Sequence, residues 1–178
     1  MLEAMVAVSA QPRECSVART LEIVGEKWAL LAVREVFLGN GRFDEMVRRT
    51  GAPRDTMAAR LRVLVGSGIL ERRQYSEHPV RFEYHLTDAG RDLYPVILTL
   101  MRWGDRYLAG PAGPPLELEH QCGHLLTARL VCEACGEPVV VGETRPVRSL
   151  GATRIPASAV ADLTVTLDSG TDSERAAV

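Results

Sequence analysis

The apolar residues of this chain change their spacing as the sequence proceeds, and the changes mark out its elements. Val17, Leu21 and Val24 fall at i, i+4 and i+7, the stripe of an amphipathic helix that starts near Cys15 and stops at Gly25. From Lys27 to Leu38 the apolar residues Trp28, Leu30, Leu31, Val33, Val36 and Phe37 cover most of the helical circumference, which predicts a central, largely buried helix. Gly39-Asn40-Gly41 is a stop and a turn. A short helix over Phe43 to Thr50 carries Phe43, Met46 and Val47 on one face and ends at Gly51. Pro53 opens the next helix, because a first turn has N–H groups without partners and tolerates proline. Its apolar face is Met57, Leu61, Leu64 and Val65; Asp55, Thr56, Ala59 and Val63 point the other way, with Arg60 and Arg62 at the flanks. Gly66 and Gly68 stop it.

Beyond Gly68 the period becomes two. Ile69 to Tyr75 and Val80 to Leu86 are predicted as strands around Ser76-Glu77-His78-Pro79, and Phe82, Tyr84 and Leu86 alternate with Arg81, Glu83 and His85 as a half-buried strand requires. Thr87 is expected to cap one long helix reaching Tyr107, with Leu93, Val96, Ile97, Leu100 and Trp103 on its apolar stripe and Pro95 kinking it. Gly110 to Pro115 is a linker by composition, and no periodicity is sustained beyond Arg145. The expected organisation is a frayed N-terminus (1–14), a main domain (15–109), a linker (110–116), a small Cys/His module (117–145) and a loosely ordered tail (146–178). The fold class is α+β, mainly α.

Charge alters the picture through its distribution. The net formal charge is only −2, yet residues 1–110 hold 16 Lys+Arg against 14 Asp+Glu, while 111–178 hold 5 against 9. Within 42–81 nine basic residues face five acidic ones, a local excess where the short helices and the hairpin fall. The longest apolar run, Trp28 to Val33, is far too short for a membrane span, which takes roughly 20 residues. Four cysteines, three of them between 122 and 135, do not form a secreted disulfide framework, and a cytoplasmic location is expected.

Two short helices joined by a tight turn, the second with small and forked polar residues outward, followed by a basic hairpin, suit insertion into the DNA major groove. Arg54, Asp55, Thr56, Ala59 and Arg60 are placed to reach base edges, and arginine can pair bidentately with guanine. Arg72, Arg73 and Arg81, with His78 at the hairpin tip, would meet phosphates or enter the minor groove. For any single arginine a solvated helix face is the plainer reading; the joint pattern favours double-stranded DNA. No phosphate loop, nucleophile elbow or HExxH is present, and although Glu133 and Glu137 could serve as bases, no enzyme is read here.

The chain also resembles the HxlR-type family of winged helix-turn-helix regulators, close in architecture to MarR-type proteins. The resemblance rests on Cys15, Leu21-Glu22-Ile23-Val24-Gly25-Glu26-Lys27-Trp28, Arg42-Phe43, Arg60-Leu61-Arg62, Gly68-Ile69-Leu70-Glu71-Arg72, Tyr84-His85-Leu86-Thr87-Asp88-Ala89-Gly90 and Trp103-Gly104, roughly 15 to 108. It implies a winged helix-turn-helix with a long C-terminal dimerisation helix. The implied form is a homodimer built from the first and last helices, regulating transcription from a near-palindromic operator. Some members sense electrophiles or oxidants through the N-terminal cysteine, and Cys15, at a helix start, is the corresponding candidate. Here Ser16 follows it, where many relatives have proline. An inert cysteine at a dimer interface, with a small ligand as effector, is the alternative. So is a protein-interaction module that does not bind an operator.

The last constellation is Cys/His-rich. Cys132 and Cys135 form a CxxC followed by Gly136, the spacing with which two thiolates grip one zinc ion, and Cys122 with His124 would complete a tetrahedral set. His120 is the reserve ligand. One structural Zn2+ per chain, in a zinc-ribbon-like appendage, is the expectation, against a redox dithiol or simply reduced cysteines.

Overall fold

The computed structural model describes residues 15–145; the expected frayed N-terminus and loosely ordered tail lie outside the described residues. Cys15–Arg129 form one compact unit, and the chain from Leu130 onward belongs to another. In the first unit the order is α1 (Ser16–Val24), α2 (Lys27–Phe37), α3 (Phe43–Thr50), α4 (Arg54–Gly66), β1 (Leu70–Glu77), β2 (Val80–Leu86), α5 (Asp88–Arg91) and α6 (Tyr94–Leu108).

Helix α2 is central, as its all-round apolar pattern requires. It packs against α1, α3, α4, α6 and β2. Val24, Ala29, Ala32, Val33, Met46, Ala52, Met57, Leu61, Leu64 and Leu70 form the core, with Trp28, Phe43, Tyr84, Leu86 and Leu93 partly buried around it. The predicted faces of α3 and α4 are the ones that supply Met46, Met57, Leu61 and Leu64. One acid is buried with them: Glu35, only 2% exposed, accepts from Arg34 (2.6 Å) and from Asn40 Nδ2 (2.9 Å). Asn40 N–H also donates to the Glu35 carbonyl at 2.8 Å, so the turn sensed in Gly39-Asn40-Gly41 is tied to α2 by side chain and backbone together.

The hairpin differs from its alternating pattern in one respect. β1 and β2 pair antiparallel from Leu70↔Leu86 to Glu77↔Val80, with the register shifting around Tyr75. Burial along β2 does not alternate: residues 82–86 are all half-buried. The reason is a third, minimal strand. Tyr84 N–H donates to the Gly41 carbonyl at 2.7 Å and Arg42 bridges to Glu83, so the approach to α3 covers the free edge of β2.

The single long helix expected from Thr87 to Tyr107 is two helices. Thr87 caps α5, its Oγ1 accepting the Gly90 N–H at 3.1 Å, but this helix lasts one turn. α6 starts afresh at Tyr94 with Pro95 in its first turn, where the missing N–H costs nothing. Proline therefore begins a helix here instead of kinking one. Of the expected stripe only Ile97 is buried and Leu93 packs on the core, while Val96, Leu100 and Trp103 are exposed.

After α6 a short hairpin, residues 118–126, still belongs to the first unit, and Arg102 donates to the Ala128 carbonyl at 2.9 Å. In the second unit a hairpin spans residues 130–139, and every described residue from 130 to 145 is exposed. Among the described residues no helix is long and apolar enough to cross a membrane.

Candidate nucleic-acid interface

Helices α3 and α4 meet across Gly51-Ala52-Pro53, with Gly51 left-handed at φ 71° and Ala52 buried in the core. Such a turn leaves the start of α4 facing outward. Arg54 and Asp55 are exposed, and Thr56, Ala59 and Arg60 are half-buried. Arg54 is already engaged: its guanidinium pairs with Asp44 at 2.8 Å and lies over the Phe43 ring, 4.8 Å from the centroid. Arg60 presents the opposite condition, since its Nε is buried with no hydrogen-bond partner, the only such side-chain atom among the described residues.

On the hairpin Arg72 stacks over Phe82 at 3.7 Å and Arg73 pairs with Glu71. Arg81 and His78 are exposed at the tip and make no ion pair or side-chain hydrogen bond among the described residues. The expected hairpin set thus divides into two anchored arginines at the base and two open groups at the tip.

Three further groups were not assigned a DNA contact from the sequence. Arg42 lies over the Tyr75 ring at 4.5 Å and 3.9 Å from Glu83, whose other oxygen accepts from His85 Nε2 at 2.8 Å. Arg48 and Arg49 both pair with Glu45. The hydrogen bond from Arg49, reinforced by Arg48, holds the Glu45 carboxyl below its ordinary value. Asp44 is the partner of Arg54. The i, i+3 and i, i+4 spacing of Glu45 with the two arginines was a readable signal; the long-range Arg42 cluster had none.

The cysteines are all exposed. Cys15 is the N-cap of α1. Backbone N–H groups of Cys135 and Ala134, together with the Cys135 thiol, hold the Cys132 thiol below its ordinary value. Of the four residues expected to ligate zinc, Cys132 and Cys135 meet, and Cys122 and His124 share another turn, His124 Nδ1 lying 3.2 Å from the Cys122 carbonyl. Among the described residues no three His, Cys, Asp or Glu side chains are gathered as a metal centre.

Comparison with known proteins agrees with the geometry. Residues 23–111 match the family described as HxlR-like helix-turn-helix. The HTH-type transcriptional regulator Rv3095 of Mycobacterium tuberculosis is 49% identical over 132 residues, which is 74% of this chain and 84% of that protein. The HTH-type transcriptional regulator YdeP of Bacillus subtilis is 38% identical over 96 residues, 52% of this chain and 73% of its own. Among solved structures PA1607, described as a transcription factor by assignment, superposes with a TM-score of 0.68 at 33% identity, covering 76% of this chain and 96% of that one.

Proposed function

This chain belongs to the HxlR-like helix-turn-helix family and is a transcriptional regulator, and from that premise we propose that it binds a near-palindromic operator as a homodimer. The observation that carries the reading is α4, held by its buried face so that Arg54, Asp55, Thr56, Ala59 and Arg60 lie along its outer edge beside a hairpin that carries Arg72, Arg73 and Arg81. In this arrangement α4 enters the major groove with Arg60 at its flank, and Arg81 and His78 reach the flanking backbone or minor groove.

A second copy supplies the missing cover for two apolar faces. Val17 and Leu21 on α1, and Val96, Leu100, Trp103, Tyr107 and Leu108 on α6, are exposed in the single chain. Faces of that size on a monomer mark an association surface, and a twofold dimer would present two copies of α4 to successive grooves. Effector response has two structural supports: Cys15 at the exposed start of α1, and an open cleft of about 240 Å³ between α6 and residues 114–128, lined by Leu98, Met101, Arg102, Leu118 and Leu126.

The test is fluorescence anisotropy with the DNA upstream of the gene and its neighbours, over a salt series, with and without diamide. Saturable, sequence-selective binding that weakens steeply with salt is expected. Binding no tighter than to random DNA would overturn the operator reading in favour of a protein-interaction module. Loss of binding with diamide in the native protein but not in Cys15→Ser would assign the effector response to that thiol.

A further inference from the structure

The cleft beside α6 carries a negative charge that nothing in the fold compensates. Leu98, Met101, Arg102 and Asp105 fall at i, i+3, i+4 and i+7, so one face of α6 forms its floor. The opposite wall is the segment after the helix. There the Leu126 N–H donates to the Leu118 carbonyl (2.7 Å), and Arg102 Nη1 ties the wall to the floor through the Ala128 carbonyl (2.9 Å). Both sides belong to the one compact unit Cys15–Arg129, and the cleft between them holds about 240 Å³. Pockets for drug-sized molecules run from roughly 300 to 1,000 Å³, so the space suits one ring or a short branched chain.

Most of the lining is apolar, and its charged side chains are Arg102, Asp105 and Glu117, one base against two acids. Arg102 stands three residues before Asp105, a spacing at which the two could pair on the helix surface. Its guanidinium is turned to the Ala128 carbonyl instead. Asp105 is half-buried and makes no hydrogen bond or ion pair among the described residues, nor does the exposed Glu117. A half-buried carboxylate gives up hydration and here receives no donor in return. Its place in the helix adds to this. Asp105 lies in the last turn of α6, which ends at Leu108, where carbonyls without helical partners already bear partial negative charge. Glu119 and Arg129, next in sequence to lining residues, add one charge of each sign and leave the balance negative.

We propose that this cleft binds a small amphipathic organic cation, an ammonium carried on an alkyl or aryl group. The apolar group sits among Leu98, Met101, Leu118 and Leu126, and the ammonium meets Asp105. Charge complementarity selects this occupant. A neutral apolar molecule would leave the Asp105 carboxylate without a partner, and an anion would meet two carboxylates and the negative end of α6. The proposal rests on the effector reading of this cleft given above and supplies its ligand class. It also gives the ligand a route to assembly. Val96, Leu100, Trp103 and Tyr107 lie on the face of α6 opposite to the cleft residues. An occupant therefore presses on the helix from behind the proposed dimer face and does not compete with a second copy.

The test titrates benzyltrimethylammonium, benzyl alcohol and phenylacetate into the full chain and follows the Met and Leu methyl resonances by NMR. Saturable shifts at Met101, Leu118 and Leu126 are expected with the cation, at an affinity roughly tenfold above the neutral and anionic probes. Asp105→Asn is expected to remove about that tenfold preference while leaving the urea midpoint and the sedimentation unchanged. Equal affinity for the three probes, tighter binding of phenylacetate, or no saturable shift at these methyls overturns the proposal on wild-type protein alone. Undiminished cation binding by Asp105→Asn overturns the ammonium contact. A cleft filled by a second copy would give no shifts and a sedimentation change in Asp105→Arg, which overturns the proposal as well. Cation binding that leaves operator anisotropy unchanged supports the site and removes the effector reading, and failure of operator binding without any probe present counts against the operator reading alone.

Discussion

At Gly90 one absent methyl group decides whether the hairpin can close onto α5. A Cβ there would run into the Ile69 carbonyl oxygen and press on Leu86. Gly90→Ala is expected to destabilise the fold by about 2–3 kcal/mol, as overpacking a fixed contact does, read as a lowered urea midpoint. Thr87 joins the same seam: its hydroxyl lies 2.5 Å from the Gly68 carbonyl and its Oγ1 accepts from Gly90. Thr87→Ala is expected to cost about 1–2 kcal/mol, and the double variant less than the sum, because the two share partners. A different outcome is expected at Asp44, which occupies Arg54 at 2.8 Å. Asp44→Asn should tighten binding to operator DNA more than to random DNA if Arg54 reads a base, and equally to both if it only meets phosphate; anisotropy on the two DNAs separates these. Residue chemistry of this kind was partly legible. Thr87 announced itself as a cap and Arg54 as exposed and basic, but a partner such as Asp44, ten positions away across a turn, is fixed only once α3 and α4 have packed.

Among the elements, the helices were the most readable and α6 the instructive exception. Periodicity ran unbroken from Thr87 to Tyr107 because Leu93, Val96 and Ile97 keep helical spacing through the break. The break itself comes from Pro95, whose ring fits a first turn better than an interior one. The hairpin was legible in position and turn, while its burial was not, since the cover on β2 comes from Gly41 and Arg42, far off in sequence. Helix α6 also carries the plainest prediction for assembly. Leu100→Glu, on an exposed apolar face, is expected to shift the chain from dimer to monomer in sedimentation without lowering its helix content. It should also weaken operator binding by well over tenfold, because two half-sites would no longer be bound together. Operator affinity that survives as a monomer would show that α6 is not the dimer contact.

For the molecule as a whole, the net charge of −2 hides the local basic excess over 42–81 on which the proposed interface rests. The order of elements from α1 to β2 was legible because each switch of period was marked by glycine or proline. The two hairpins after α6 were not, because runs of nine or ten residues with little apolar periodicity are shaped by turn hydrogen bonds. Arg60→Ala is expected to lose about 1–3 kcal/mol of operator binding and to relax sequence preference, whereas Arg81→Ala should weaken all DNAs alike and lower the salt slope by about one. The strap across β2 bears on how such a regulator can diversify. The residue just ahead of α3 is stitched to the hairpin, so the α3–α4 pair and the hairpin are joined at both ends like the jaws of a fixed gauge. The distance between the contacts they make along a duplex is then set by the backbone. New operators would be reached by exchanging side chains on the two jaws, and a change of footprint length would require cutting the stitch at Arg42 and Glu83.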